Sequence, residues 1–163
     1  IRDSRMGMQL RFLAGVSTAF AVKLLVMRAL TLKLQRDIEA LNNGDYRPLL
    51  SAFHRDAVLK FADGDSRWSG THRGRPAIEK FFQDFVAAGI KGQITEIYSG
   101  GAPWRMTLLV RFDDHAHAAD GTELYNNRTV LLVRTSWGKI VSQEDFFEDT
   151  TRIDAFEKKL RKL

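Results

Sequence analysis

The chain has 163 residues, 44% of them hydrophobic and only 3 of them proline, which suits one domain with a sizeable core and is too short for a two-domain cofactor enzyme. It contains no cysteine, which excludes a disulfide framework, a thiolate zinc site and a thiol nucleophile, and points to a reducing, cytoplasmic setting. The net charge of +5 is unevenly placed: residues 1–36 hold Arg2, Arg5, Arg11, Lys23, Arg28, Lys33 and Arg36 against Asp3 alone. The remaining body is close to neutral and has no basic stripe or reading motif, so nucleic acid is not an expected partner.

In chain order, the apolar run from Phe12 to Leu34 is interrupted by Lys23 and Arg28. Either would cost about 2.5–3.5 kcal/mol at the centre of a membrane span, so a transmembrane helix is not expected. Phe20, Leu24, Met27, Leu30, Leu34, Ile38 and Leu41 instead recur at steps of three or four, which predicts a long helix with one apolar stripe. Two partners suit that stripe: the chain's own domain or a partner subunit, or a lipid surface contacted peripherally by a basic helix. Residues 1–35 are therefore read as a basic, apolar helical extension, and 36–163 as the domain proper.

Asn42-Asn43-Gly44 stops the helix, because Asn and Gly tolerate left-handed backbone. A short helix is expected from Pro48 and a strand over 57–62, with Asp63-Gly64-Asp65-Ser66 as a loop. Pro76 opens an amphipathic helix carrying Ile78, Phe81, Phe82, Phe85 and Val86, which ends at Gly89. Strands follow over 93–99, 105–116, 122–135 and 139–147, with Asp120-Gly121 and Trp137-Gly138 as hairpin turns. A last helix over 152–163 buries Ile153, Phe156 and Leu160. Helices first and a meander afterwards indicate an α+β fold: a curved, mostly antiparallel sheet covered by helices.

Period two puts Leu109, Arg111, Asp113 and His115 on one face of their strand, and Val141, Gln143, Asp145 and Phe147 on one face of theirs. If both faces line the inside, Arg111 and the carboxyls of Asp113 and Asp145 meet in apolar surroundings, where burial and coupling separate two acids' titrations. The plain alternative is an ion pair that holds the sheet in register. The four histidines lack helical zinc-binding spacings, so no metal is expected, and no phosphate loop, nucleophile elbow or nucleotide fingerprint implies a cofactor.

The runs Ala40-Leu41-Asn42-Asn43-Gly44-Asp45, Phe53-His54-Arg55-Asp56-Ala57-Val58, Gly70-Thr71-His72-Arg73-Gly74-Arg75-Pro76-Ala77-Ile78 and Gly138-Lys139-Ile140-Val141 before Asp145-Phe146-Phe147-Glu148-Asp149 resemble the SnoaL-like branch of the nuclear transport factor 2-like superfamily. The resemblance implies a cone-shaped domain, and the superfamily's cone hosts both enzymes and binding proteins. Its limonene-epoxide-hydrolase-like members carry an Arg-x-Asp and a later Asp, which Arg111-Phe112-Asp113 and Asp145 resemble. That likeness implies Asp145 as proton acceptor, Asp113 as proton donor and Arg111 as the bridge between them. Leu59 and Phe61 stand where those members hold a water with polar side chains, a departure that disfavours hydrolysis. Asp145 also suits the acid–base residue of SnoaL-type polyketide cyclases.

Two functions from different classes follow. The favoured one is a cofactor-independent enzyme acting on a small apolar molecule by hydrolysis, cyclisation or isomerisation; the other is a non-catalytic module binding a hydrophobic ligand or a protein. Leu59, Phe61, Trp68, Leu109, His115, Gln143 and Phe147 are the expected pocket lining. The resemblance also implies a homodimer through the outer sheet face, with Thr129, Leu131 and Val133 as the contact patch.

Overall fold

The computed structural model describes the backbone of residues 2–162 and the side chains of 18–162. The basic residues Arg2, Arg5 and Arg11 and the start of the apolar run at Phe12 thus lie outside the described side chains. The chain folds as α1 (Arg2–Asn42), α2 (Arg47–Ala52), β1 (Phe53–Lys60), β2 (Thr71–Arg73), α3 (Arg75–Ala87), β3 (Lys91–Ala102), β4 (Arg105–His117), β5 (Glu123–Ser136), β6 (Lys139–Phe147) and α4 (Thr151–Leu160). The short β2 has no counterpart among the expected elements; it pairs antiparallel with the end of β1 through Val58, Leu59 and Lys60.

The strands form one curved, open sheet in the order β2-β1-β6-β5-β4-β3. Every pairing is antiparallel except β1 with β6. That parallel pair arises because β1 precedes the meander in sequence yet closes its far side. The β5–β6 turn needs only Trp137 and Gly138, whose φ angles of 48° and 77° are both positive, the backbone that a two-residue hairpin with matching twist requires.

Three helices pack on the concave face. α3 turns Ile78, Phe81, Phe82 and Phe85 inward, and ring contacts join Phe81 to Phe61 at 5.4 Å and Phe82 to Phe53 at 5.8 Å. α4 closes the narrow end, with Phe156 stacked between Trp68 at 6.1 Å and Tyr125 at 5.1 Å. α1 buries Ile38 and Leu41 and half-buries Val26, Met27, Leu30 and Leu34 against the same core. The expected stripe is therefore kept only along the C-terminal part of α1. Phe20 and Leu24, on the same stripe, are 69% and 61% exposed, since at 1.5 Å per residue the helix has run past the domain's edge. α1 is continuous across the boundary expected after residue 35.

Burial alternates cleanly along the two central strands, and it corrects the expected faces. On β4 the buried side chains are Met106, Leu108, Val110, Phe112, Asp114 and Ala116, so Leu109, Arg111, Asp113 and His115 look outward. On β5, Tyr125, Asn127, Thr129, Val133 and Thr135 are buried and Leu131 is half-buried on the same face. Thr129, Leu131 and Val133 consequently face the interior and cannot serve as an outer contact patch. On β6 one extra residue, Val141, lies between the pairs Thr135–Ile140 and Arg134–Ser142. This bulge brings Ile140 inward in place of Val141 and leaves Gln143, Asp145 and Phe147 on the expected face.

The long edge strand β3 has its own bulge, between Ile94 and Glu96. Its first turn is bracketed by Asn42, whose side chain accepts from the Gly92 N–H at 2.9 Å and donates to the Gly92 carbonyl at 2.8 Å.

Candidate functional site

The concave face does not fill completely. A cavity of about 110 Å³ remains between the sheet, α3 and α1; an apolar void near 150 Å³ is roughly what a benzene ring needs. Its walls are overwhelmingly apolar, with Phe61, Phe81, Phe82 and Phe85 on one side, Leu108, Val110, Phe112 and Leu131 on the sheet, and Leu30, Leu34, Ile38 and Leu41 from α1. At the α1 side, Lys33 and Asp37 also border it, and the lysine ammonium donates to the Asp37 carboxylate one helical turn away.

Into these walls the sheet inserts a short polar row. Asp114 on β4, Thr129 on β5 and Asp145 on β6, with Gln143 beside it, all line the cavity. Strand register explains the row: Thr129 pairs with Phe112 and with Phe147, so Asp114 and Asp145 each sit two residues along from a partner of Thr129. Diagonal neighbours of this kind are about 7–8 Å apart.

The two carboxyls are held differently. Asp114 is buried, at 6% exposure; its Oδ2 accepts from the Tyr125 hydroxyl at 2.9 Å, while Oδ1 is buried without a hydrogen-bond partner. Burial pushes its pKa from 3.8 up to about 7, against the lowering effect of Tyr125. The Tyr125 hydroxyl is in turn pushed upward by its own burial and by the neighbouring carboxylate, so it stays a donor at any relevant pH. Asp145 is half-buried and its Oδ1 accepts from the Gln143 amide at 2.9 Å. Burial raises it to about 7 as well, with the Gln143 bond opposing and the charge of Asp114 adding to the rise. Burial thus raises both carboxyls toward neutrality, the direction that acid–base work in one pocket requires. The Thr129 Oγ1, on the row between them, is also buried without a partner.

Of the residues expected here, Asp145, Gln143, Phe147 and Phe61 do line the cavity. Arg111 and Asp113 do not: they pair with each other at 3.6 Å on the outer face, where Arg111 also meets Glu96 at 3.3 Å. The expected convergence of Arg111, Asp113 and Asp145 is corrected accordingly, because the two strand residues belong to the other parity of β4. Leu109 is 44% exposed on that outer face, and the His115 ring lies 5.2 Å from that of His117. Leu59 and Trp68 are fully buried in the core and are not part of the cavity wall. The residues missed were Asp114, Tyr125 and Thr129. Their signal was present: Met106, Leu108, Val110 and Phe112 form the more apolar alternation of β4, and it runs into Asp114.

Among the described residues no group of three or more His, Cys, Asp or Glu side chains is placed to hold a metal ion.

An open, curved sheet wrapped by helices around an apolar cavity with carboxyls on its inner face is the architecture of the cone-shaped α+β domains. Within that class, the chain belongs to the SnoaL-like domain family, which matches residues 34–143. Among solved structures it is similar to Bal32a from a soil-derived mobile gene cassette, with a TM-score of 0.67 at 21% identity over 78% of this chain and 95% of that one. It is also similar to an NTF2-like protein of unknown function from Burkholderia pseudomallei K96243, with a TM-score of 0.61 at 22% identity over 78% and 96%. A third is TerC co-crystallised with polyporic acid, with a TM-score of 0.60 at 19% identity over 79% and 96%. At these identities the likeness establishes the fold. No curated protein matches the sequence.

Proposed function

We propose that this chain is a cofactor-independent enzyme that moves protons on a small, mostly apolar ring compound, with Asp145 as base and Asp114 as acid. The observation that carries this reading is the placement of two carboxyls on one wall of an apolar cavity, one of them with a buried oxygen left without a hydrogen-bond partner. Asp145, the more accessible of the two, takes a proton from a carbon or hydroxyl of the ligand. Protonated Asp114 gives its proton to the ligand oxygen, and Tyr125 stabilises the carboxylate that remains. After product leaves, Asp145 releases the proton it took and Asp114 regains one by exchange with solvent, which restores both groups.

Isomerisation or cyclisation suits this site better than epoxide hydrolysis. Among the described residues no arginine borders the cavity, and the one lysine that does, Lys33, is paired with Asp37. Leu59 and Phe61 offer no polar group to hold an attacking water. The apolar Leu59 and Phe61 also favour the second reading, a non-catalytic site for a hydrophobic ligand.

The experiment is a screen of the purified chain against small cyclic ketones, epoxides and cyclisable polyketide-like compounds, followed by variants. Asp145→Asn should lower kcat/KM at least about 10²-fold while ligand affinity stays within a few-fold. Arg111→Ala and Asp113→Asn, on the outer face, should leave turnover within about twofold. Ligand binding without turnover, unchanged in Asp145→Asn and Asp114→Asn, would leave the binding reading standing and end the enzymatic one.

We also infer a homodimer through the outer sheet face. The exposed apolar side chains there are Tyr98, Leu109, Val130 and Phe146. They are contiguous, since Leu109 pairs with Tyr98 on β3 and with Leu132 on β5, and Val130 pairs with Phe146 on β6.

A further inference from the structure

The exposed part of α1 carries a run of apolar side chains that the fold leaves uncovered. Phe20, Val22, Leu24, Leu25 and Leu32 are 69%, 48%, 61%, 67% and 49% exposed. Two of them continue the stripe that packs on the domain further along the helix, but Val22, Leu25 and Leu32 do not. With Ala29 they follow at steps of three and four and form a second stripe, turned away from the domain. A helix whose only task is to cover the cavity has no use for a second apolar stripe, nor for continuing beyond Met27, where its contacts with the core thin out.

The charge around this surface selects the occupant. Exposed Arg28 and Arg36 flank the outward stripe and half-buried Lys23 lies within the same stretch. Over residues 1–36 the sequence has seven basic residues and one acidic. Two such helices laid side by side would repel along their length, which disfavours a second copy. An anionic lipid surface answers both features at once, taking Val22, Leu25 and Leu32 of the outward stripe into its interface and the guanidinium and ammonium groups at its headgroups. No helix among the described residues is long and apolar enough to cross a membrane, in keeping with a helix that lies on the surface.

We propose that the N-terminal part of α1 docks this protein peripherally on anionic lipid bilayers, through the outward stripe of Val22, Leu25 and Leu32 together with Lys23 and Arg28. The claim is independent of the catalytic reading. Where both hold, they meet at Leu30, Lys33 and Leu34 of the same helix, which border the cavity, so that a ligand dissolved in the bilayer would have a short path into it.

The test is co-sedimentation of the purified full chain with large unilamellar vesicles, either of phosphatidylcholine alone or with about 30% phosphatidylglycerol. Binding to the anionic vesicles is expected, at least about tenfold stronger than to the neutral ones and weakened about as much on going from roughly 0.1 M to 0.5 M salt. Leu25→Asp with Leu32→Asp should abolish it, and Lys23→Glu with Arg28→Glu should remove the preference for anionic lipid. An unchanged thermal melt in these variants separates loss of docking from loss of fold, since most of these side chains make little contact with the core. Failure of the unaltered chain to bind anionic vesicles overturns the proposal. So does equal, salt-insensitive binding to both vesicles, or a self-association in sedimentation that Leu25→Asp with Leu32→Asp abolishes.

Discussion

The buried Asp114 makes the protein's stability depend on pH in a direction opposite to that of a salt-bridged carboxylate, and Asp114→Asn isolates the effect. In the unfolded chain its carboxyl ionises near 3.8, in the fold near 7. Below the lower value both states are protonated and nothing is lost. Between the two values the unfolded chain has released its proton and the folded chain has not, so stability falls by about 1.4 kcal/mol per pH unit. Above about 7 the loss is complete, at about 4 kcal/mol. Asparagine keeps the acceptor for the Tyr125 hydroxyl and has no proton to release. It does place an amide where Oδ1 has no partner, a cost of about 1–3 kcal/mol, but that cost is the same at every pH and cancels in the comparison. The measurement is urea unfolding of both proteins at intervals from about pH 4 to pH 8. The free-energy difference between variant and parent should move by about 4 kcal/mol in the variant's favour across that range, equivalent to roughly 10 °C in Tm for a chain of this size. Parallel curves for the two proteins would refute the burial argument, and with it the protonated Asp114 that the proposed acid role needs.

Three further outcomes follow from the same geometry. Thr129→Val replaces a buried hydroxyl without a partner by a methyl group, and should raise stability by about 1 kcal/mol in thermal unfolding while weakening ligands that carry a hydroxyl or carbonyl. On the proposed acid–base reading, the pH profile of kcat/KM should peak near neutrality, because burial raises both carboxyls to about 7, and Asp114→Asn should remove one limb of that profile. Val130→Glu with Phe146→Glu, cross-strand neighbours on the outer face, should convert a dimer into a monomer in sedimentation while leaving the melt within a few degrees.

The order of helices and strands was legible because the signals were local: Asn42-Asn43-Gly44 after a heptad-like stripe, Pro76 opening a phenylalanine-rich helix, and glycine at two of the three hairpin turns. The site was legible only in part, for a reason specific to strands. Moving by one residue transfers every side chain to the other face, and on β4 adjacent aspartates, Asp113 and Asp114, offered one carboxyl to each. The resemblance of Arg111-Phe112-Asp113 to an epoxide-hydrolase pattern favoured the wrong one. The run of apolar residues two apart from Met106 to Phe112 pointed to the right one. On β5 the contrast was weaker, since Val130 and Leu132 make the outer face nearly as apolar as Thr129, Leu131 and Val133 make the inner. Two other features had no sequence signal of this range. The Val141 bulge is a property of pairing between strands, and the exposure of Phe20 and Leu24 depends on where the domain ends beneath a helix that continues regardless.

The treatment of the sheet's two edges bears on how the folded protein avoids polymerising. An unpaired strand is a template for another copy's strand, and a long flat one invites stacking into fibres. β2 offers only three residues, too few to seed a ladder. β3 offers twelve, and here the bulge before Glu96 breaks the straight row of donors and acceptors while Asn42 occupies those of Gly92. One amide side chain at the end of a helix thus does locally what another strand would do. It does so without leaving an edge of its own for the next molecule to extend.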